Sequence, residues 1–307
     1  MPTFFLLLLA LGPGAQPARA AADSPDNPAL AQKVGSLFQT IFETDDEAEE
    51  ARAIDQVKAI YAQNGLLTTA GVGDEAAYKF VLLLASDKFP LSFRRQVLAE
   101  INEQAPRLPH DAPEFYAARL RMAETRQQAA SSPPANPVLR DAIERMYKVD
   151  QAVRQPGGFT PRKMVKVDRS HTRPLQAILD KYGVPTYSLV GPEAADDFVT
   201  MIQHQPARFR RRVLPQLEVN VAAGQADPAA YALVYDRAQR DLGKKQLYGT
   251  QFECQAGEKL HLAPTLDEAH VNERRARLGH MRVELYARVL AEAAPQFCPP
   301  ARPAVKK

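Results

Sequence analysis

Apolar residues recur at helical spacing along most of the chain. The segments Leu30 to Phe42 and Val138 to Val153 carry apolar side chains every three or four residues, the second at Ile143, Met146 and Val149. This spacing places the apolar side chains on one face of a helix. Both segments are therefore predicted to be amphipathic helices packed against a core.

Residues that start and stop helices define further elements in the second half. Gly191-Pro192-Glu193 opens a helix, because proline suits the first helical position and an early glutamate suits the positive helix end. Pro206 ends that helix soon after His204. Another helix is predicted from Pro228 to about Leu242, with Gly243 as its left-handed cap.

One segment shows an alternating pattern instead. Between Gln246 and Thr265, two short alternating runs flank the turn-like residues Gln255 to Glu258, which predicts a β-hairpin. A final helix is predicted from Glu268 to Glu292. The predicted fold class is mainly α, with this one hairpin.

Two segments of the chain match each other in the same order. Gly73-Asp-Glu-Ala-Ala-Tyr-Lys-Phe-Val81 aligns with Gly191-Pro-Glu-Ala-Ala-Asp-Asp-Phe-Val199 at an offset of 118 residues. After a slip of two residues, Phe93 to Leu98 aligns with Phe209 to Leu214, and Asn27-Pro28 matches Asn136-Pro137 at the start. We infer two tandem, diverged copies of one helical module; chance similarity between alanine-rich helices is the alternative.

The repeat sets the predicted domain boundaries. A diverged helical copy covers residues 27–126, a polar and proline-rich linker covers 127–137, and the second copy with the hairpin covers 138–298. Residues 299–307 are predicted to be a disordered tail.

The first twenty residues have the pattern of a secretion signal. The apolar run from Phe4 to Leu11 is too short to span a bilayer, and Ala18-Arg19-Ala20 offers small residues at the spacing of a cleavage site. We predict an exported protein, periplasmic or extracellular, with no stable membrane insertion after cleavage of residues 1–20; an uncleaved anchor is the alternative. An oxidising compartment would allow Cys254 and Cys298 to form a disulfide, with two buried thiols as the alternative.

Composition and motifs exclude several functions. The formal net charge of +3 is nearly neutral for 307 residues, so we predict no binding to nucleic acid. The chain has no Gly-x-Ser-x-Gly, no phosphate-binding Gly-x-x-x-x-Gly-Lys loop and no His-Glu-x-x-His or Cys-x-x-Cys motif. No cofactor is predicted. His171, His204, Asp168 and Asp236 could surround a metal, but their spacing does not require it, and no metal site is predicted.

The two copies differ where polar residues gather in the second. Gln203-His204 replaces Ala85-Ser86, and Asp236-Arg237 replaces Arg121-Met122. The segment Gln246 to Gln251 and the pair Arg274-Arg275 have no counterpart in the first copy. Residues that keep the fold should occur in both copies, so these differences indicate where a site lies.

These motifs carry a resemblance. Gln203-His204, Asp236-Arg237, Gln246-x-Tyr248-Gly-Thr-Gln251 and Val271-x-x-Arg274-Arg275 resemble, in that order, a family of bacterial domains of unknown function. The resemblance covers about residues 138–290. It departs from the family pattern at Val184, where tryptophan is frequent, at Asn272, where aspartate is usual, and at Leu278-Gly279, where the order is reversed. It implies a shared site without naming a substrate.

The candidate site is assigned as follows. His204 is the acid/base candidate, because its pKa lies near physiological pH, and Asp236 is the carboxylate expected to orient it. The remaining candidates are polar groups expected to bind a small polar or anionic ligand: Gln203, Arg237, Gln246, Tyr248, Thr250, Gln251, Arg274 and Arg275. A hydrolase or transferase acting on such a ligand is the first hypothesis. A ligand-binding module without catalysis, and a helical interaction protein whose polar residues hold the hairpin on the last helix, are the alternatives.

Overall fold

The protein is mainly α-helical, as the sequence predicts. The structure, a computed structural model, describes residues 25–44, 46–154, 160–253 and 260–293. In the first half the helices are α1 (Pro28–Glu43), α2 (Glu47–Asn64), α3 (Thr69–Val72), α4 (Asp74–Leu84), α5 (Leu91–Gln104) and α6 (Ala112–Ala130). In the second half they are α7 (Pro137–Ala152), α8 (Pro161–Tyr182), α9 (Tyr187–Val190), α10 (Pro192–Gln203), α11 (Ala207–Ala222), α12 (Pro228–Asp241), α13 (Val271–Arg277) and α14 (Val283–Ala293).

The predicted hairpin is confirmed as a pair of short antiparallel strands. Strand β1 (Phe252–Glu253) pairs with β2 (His261–Leu262), with Phe252 opposite Leu262. The prediction of one helix from Glu268 to Glu292 is wrong, because the chain turns between α13 and α14. Gly279 causes the turn: its φ of +67° is left-handed, and a side chain there would lie 2.9 Å from Arg119.

The same local geometry recurs in the two halves. Asn27 and Asn136 each accept a hydrogen bond at 3.0 Å from the third residue after them, Leu30 and Leu139. Arg94 and Arg210 are both buried and each donates to carbonyls at the end of the preceding helix. These arginines therefore stabilise a helix end in each half.

The two halves are in direct contact, because residues from the C-terminal segment pack into the core of the first half. Helix α6 runs through the first four residues of the predicted linker to Ala130, because Gln127 to Ala130 are good helix formers. Each half has its own hydrophobic core, but Ala276 and Leu285 of the C-terminal segment belong to the core of the first half. The C-terminal helices therefore fix the two halves together.

Several expectations fall on residues outside the described ranges: the signal peptide at 1–20, Cys254, Cys298 and the tail at 299–307. Within the described residues, none of the helices has both the length and the apolar character that crossing a membrane requires.

Candidate functional site

His204 follows the last residue of α10 and lies beside a buried carboxylate. Its Nδ1 is 3.1 Å from both carboxylate oxygens of Asp150 on α7. The His204 side chain is about one fifth exposed, whereas that of Asp150 is 1% exposed. The carboxylate that orients His204 is therefore Asp150, and the expectation that Asp236 does so is corrected.

Asp150 lies on the inner face of α7, where the apolar pattern predicted a different residue. Val149, which was expected on the buried face, is 51% exposed, and Asp150 takes the inner position seven residues after the buried Ile143. Arg154 contacts the Asp150 carboxylate at 3.1 Å, and Gln151 donates to it at 2.8 Å. Sequence reasoning missed Asp150; the signal was a charged residue in register with the apolar stripe.

Helix α8 adds a second carboxylate and a second imidazole. Asp168 forms an ion pair with Arg154. His171 is 94% buried, and within the described residues its Nδ1 has no hydrogen-bond partner. We call Asp150, Arg154, Asp168, His171 and His204 the His204 cluster.

The charges of the His204 cluster act on one another. Burial alone would raise the pKa of Asp150, but the contacts with His204 and Arg154 outweigh it and hold that pKa below its ordinary value. Burial lowers the pKa of His171, against the opposing effect of Asp150 and Asp168. His171 is therefore favoured as a neutral imidazole, which can accept a proton or bind a metal.

Polar groups around the cluster fix its orientation. The side chain of Gln205 accepts from Thr172 Oγ1 at 2.8 Å and donates to the backbone carbonyl of Asp168 at 3.1 Å. This bridges the end of α10 to α8. His204 and Asp168 are thus held next to each other by buried contacts.

Asp236 instead organises the segment before the hairpin. Its buried carboxylate accepts from the backbone N–H groups of Leu247, Tyr248 and Thr250 at 2.8 to 3.2 Å, and from Thr250 Oγ1 at 2.9 Å. Each oxygen is bound by more than one donor. Asp236 is thus occupied by its own loop and cannot serve His204.

The two glutamines of the motif close the same loop. Gln246 is fully buried; its Nε2 donates to the carbonyls of Gln251 and Ala263, and its Oε1 accepts from Gln251 N, all at 2.9 Å. Gln251 Nε2 donates to Thr250 Oγ1 at 3.0 Å. The ring of Tyr248 packs edge-on against Tyr231 and Tyr235. These contacts fix the shape of the loop.

The arginines of the motif also bind backbone carbonyls. Arg275 is fully buried and donates to Tyr248, Gly249 and Met281 at 2.6 to 3.0 Å. Burial lowers the pKa of Arg275 to about 10. Arg274 donates to Leu247 at 2.9 Å and to Leu266 at 2.7 Å. Both guanidinium groups donate to backbone carbonyls of the protein, and among the described residues the buried Nη2 of Arg275 has no hydrogen-bond partner.

Arg237 connects the two groups of residues. Its Nε donates to Gln251 Oε1 at 3.2 Å, and its Nη1 donates to the backbone carbonyl of Gln203 at 3.1 Å. The structure therefore places the predicted residues in two neighbouring sets. His204 belongs to the His204 cluster. A second set, which we call the Asp236 network, consists of Asp236, Arg237, Gln246, Tyr248, Thr250, Gln251, Arg274 and Arg275.

Comparison with known families assigns the second half. The model of a family of unknown function, DUF6624, matches residues 137–296, which is slightly more than half of the chain. The chain belongs to this family. No curated protein and no solved structure matches the chain.

The DUF6624 region contains both the His204 cluster and the Asp236 network, whereas the first half lies outside it. The sequence offset between Asn27 and Asn136 matches Asp150 with Ile41. The offset between Gly73 and Gly191 matches Asp168 with Glu50, and His204 with Ser86. Ile41, Glu50 and Ser86 line a cavity of about 360 Å³, which His280, Met281 and Tyr286 also line. Of the three matched positions, only Glu50 keeps a carboxylate in the first half, where Ile41 and Ser86 stand in place of Asp150 and His204.

Proposed function

We propose that the DUF6624 half binds a small polar compound at the His204 cluster and acts on it as a hydrolase or transferase. One observation carries the proposal: side chains from α7, α8 and the end of α10 bring two carboxylates, two imidazoles and a guanidinium together at a partly exposed position. Groups that can donate, accept and carry charge rarely gather this closely without a role.

The roles follow from the contacts. His204 would transfer the proton, with Asp150 holding the Nδ1 side of its ring so that Nε2 is left for a ligand. Arg154, about 15% exposed, would bind an anionic group. The expectation of an anionic ligand now depends on Arg154, because Arg237, Arg274 and Arg275 donate to protein groups.

We also propose that the protein is exported and that its halves arose by duplication. Export is supported by the apolar run and the Ala-x-Ala pattern in residues 1–20. Duplication is supported by the matched helix caps at Asn27 and Asn136 and by the equivalent contacts of Arg94 and Arg210. We further propose that the Asp236 network is the DUF6624 signature and that it maintains the fold.

A second candidate function has its own support. The members of the Asp236 network bind one another and the backbone, as expected for a helical interaction protein in which these residues only hold the hairpin against α13. That reading predicts no small ligand at the His204 cluster.

A thermal-shift screen of residues 21–307 against nucleotides, sugars and phosphorylated compounds separates the two candidates. A compound that binds only the folded state raises the melting temperature. The proposal expects a compound whose thermal shift or turnover is lost in His204→Ala, and for which both are kept in His270→Ala. His270→Ala is a matched control because His270 also pairs with an aspartate, Asp267, at 2.8 Å.

Loss of turnover with affinity retained in His204→Ala would mean catalysis, and parallel loss of both would mean binding alone. A compound whose thermal shift and turnover both survive in His204→Ala would place its site elsewhere and refute the proposal. So would a screen in which no compound raises the melting temperature.

A further inference from the structure

The His204 cluster has an excess of negative charge. Asp150 and Asp168 contribute two carboxylates, and among the residues that the structure describes Arg154 is the one guanidinium paired with them. Asp150 is almost fully buried, so its charge is poorly screened by solvent. A further cation would therefore be attracted to this position.

The spacing of the ligand atoms suits a metal ion. One atom each from Asp150, Asp168 and His204 lies within 4.8 Å of the others. Ligand atoms held tetrahedrally at about 2.0–2.2 Å from an ion lie about 3.3–3.6 Å apart. The most distant of the three atoms would have to approach by about 1 Å, which rotation of the partly exposed Asp168 and His204 side chains can supply.

A second observation points to a ligand. His171 is 94% buried and its Nδ1 has no partner within the described residues, although buried polar atoms are nearly always hydrogen-bonded. His171 follows Asp168 by three residues on α8, so the two side chains are neighbours on one face of that helix. A metal-bound water would give Nδ1 the partner it lacks.

We propose that Asp150, Asp168 and His204 bind one divalent transition-metal ion, of the kind of Zn²⁺ or Mn²⁺. One imidazole nitrogen and two carboxylate oxygens form a ligand set that such ions accept. Gln151 donates to the carboxylate of Asp150, and Gln205 donates to the backbone carbonyl of Asp168. Residues around a metal site commonly orient the metal ligands by such hydrogen bonds. This departs from the sequence-based expectation of no metal.

The inference rests on the proposed function and changes one role within it. His204 becomes a metal ligand, and a water bound to the ion takes over the proton transfer. Arg154 moves off the carboxylates and is left to bind an anionic group of the substrate. The substrate class is then a small anion that bridges the ion and Arg154, such as a phosphorylated or carboxylated compound.

Calorimetric titration of residues 21–307, treated with chelator and dialysed, tests the inference with Zn²⁺, Mn²⁺ and Mg²⁺ as separate probes. We expect one Zn²⁺ or Mn²⁺ per chain, with the affinity lowered at least about tenfold in Asp168→Asn and in His204→Ala. Glu50→Gln is the matched control, because Glu50 takes the corresponding place in the first half, where Ile41 and Ser86 replace the other ligands. Its affinity should equal that of the unmodified chain.

Arg154→Gln separates a metal site from a set of ion pairs. If the guanidinium competes with the ion, this variant binds Zn²⁺ more tightly than the unmodified chain, and Zn²⁺ raises its melting temperature further. If the cluster is only a salt-bridged group, Arg154→Gln is less stable and Zn²⁺ does not restore it. That result, or equal binding in Asp168→Asn and His204→Ala, would overturn the inference.

The two proposals fail in different ways. If a small compound binds the chelator-treated chain and its effect is lost in His204→Ala, the proposed ligand site is supported and the proposed metal site is refuted. If one ion binds per chain but the effect of the small compound survives in His204→Ala, the proposed metal site is supported and the proposed function is refuted.

Discussion

Arg282, in the turn between α13 and α14, forms an ion pair with Asp111, the residue that precedes α6. Its Nε donates to the two carboxylate oxygens at 2.9 and 3.0 Å, and the Asp111 side chain is 1% exposed. The backbone N–H of Arg282 also donates to the hydroxyl of Tyr78 at 3.2 Å. A residue of the DUF6624 region thus neutralises a buried charge in the other half.

Replacing Arg282 should therefore destabilise the whole chain. Arg282→Ala leaves the Asp111 carboxylate buried without its cation, which costs about 3–5 kcal/mol. The free energy of unfolding in urea measures the loss. Arg288→Ala is the control, since Arg288 is about half exposed and pairs with Glu75 on the surface; it should change stability by less than about 0.5 kcal/mol. Equal losses in the two variants would contradict the role given to Arg282.

Asp236→Ala should reduce stability rather than act on a ligand. The change leaves the N–H groups of Leu247 and Thr250 without their acceptor in a buried loop, for a loss of about 3–5 kcal/mol. Urea unfolding measures it, with Asp141→Ala on the exposed side of α7 as control. Ligand affinity per folded molecule should be unchanged. Folded Asp236→Ala protein that loses only ligand binding would restore Asp236 to the site.

The sequence predicted the helical class, the hairpin and the bounds of α10 and α12 because these depend on local signals. Proline and glycine marked the boundaries at Pro192 and Gly243, whereas apolar spacing placed Val149 on an inner face that Asp150 occupies. The division at Gly279 carries the same local signal as Gly243, a left-handed glycine after a helix, and the prediction of one helix overlooked it.

For the candidate site, sequence comparison located His204 but paired it with the wrong carboxylate. Asp236 and Asp150 are both buried carboxylates, and nothing local distinguishes the one that accepts from backbone N–H groups from the one that meets an imidazole. Only the packing of α7 against α10 makes that choice. Arginines that bind backbone carbonyls are likewise indistinguishable in sequence from arginines that bind anions.

Asp197 should make the protein less stable as the pH rises. Burial, and after it the charges of Asp196 and Glu144, raise the pKa of Asp197 to about 6, against an ordinary value of 3.8. The folded state therefore binds the proton more tightly than the unfolded state, and stability falls between about pH 4 and pH 6.

Asp197→Asn removes this effect. At pH 7 the variant should be more stable by about 1 kcal/mol, a value reduced from the full shift because the side chain is partly exposed. At pH 3.5 it should equal the unmodified chain. Urea unfolding at the two pH values measures both differences. A variant that is less stable at pH 7 would mean that Asp197 is stabilised by a partner rather than repelled by its neighbours.

Gly249→Ala tests how tightly the Asp236 network packs. Gly249 has a φ of +65°, and an added side-chain carbon would lie 3.0 Å from Val271 and 3.3 Å from Val283. Gly243 has nearly the same φ, +67°, but open space around it. Gly243→Ala therefore measures backbone strain alone, about 1 kcal/mol, and Gly249→Ala adds overpacking of about 1–3 kcal/mol. The two free energies of unfolding give the difference. If they are equal, the loop moves away from α13 freely, and its close packing contributes nothing to stability.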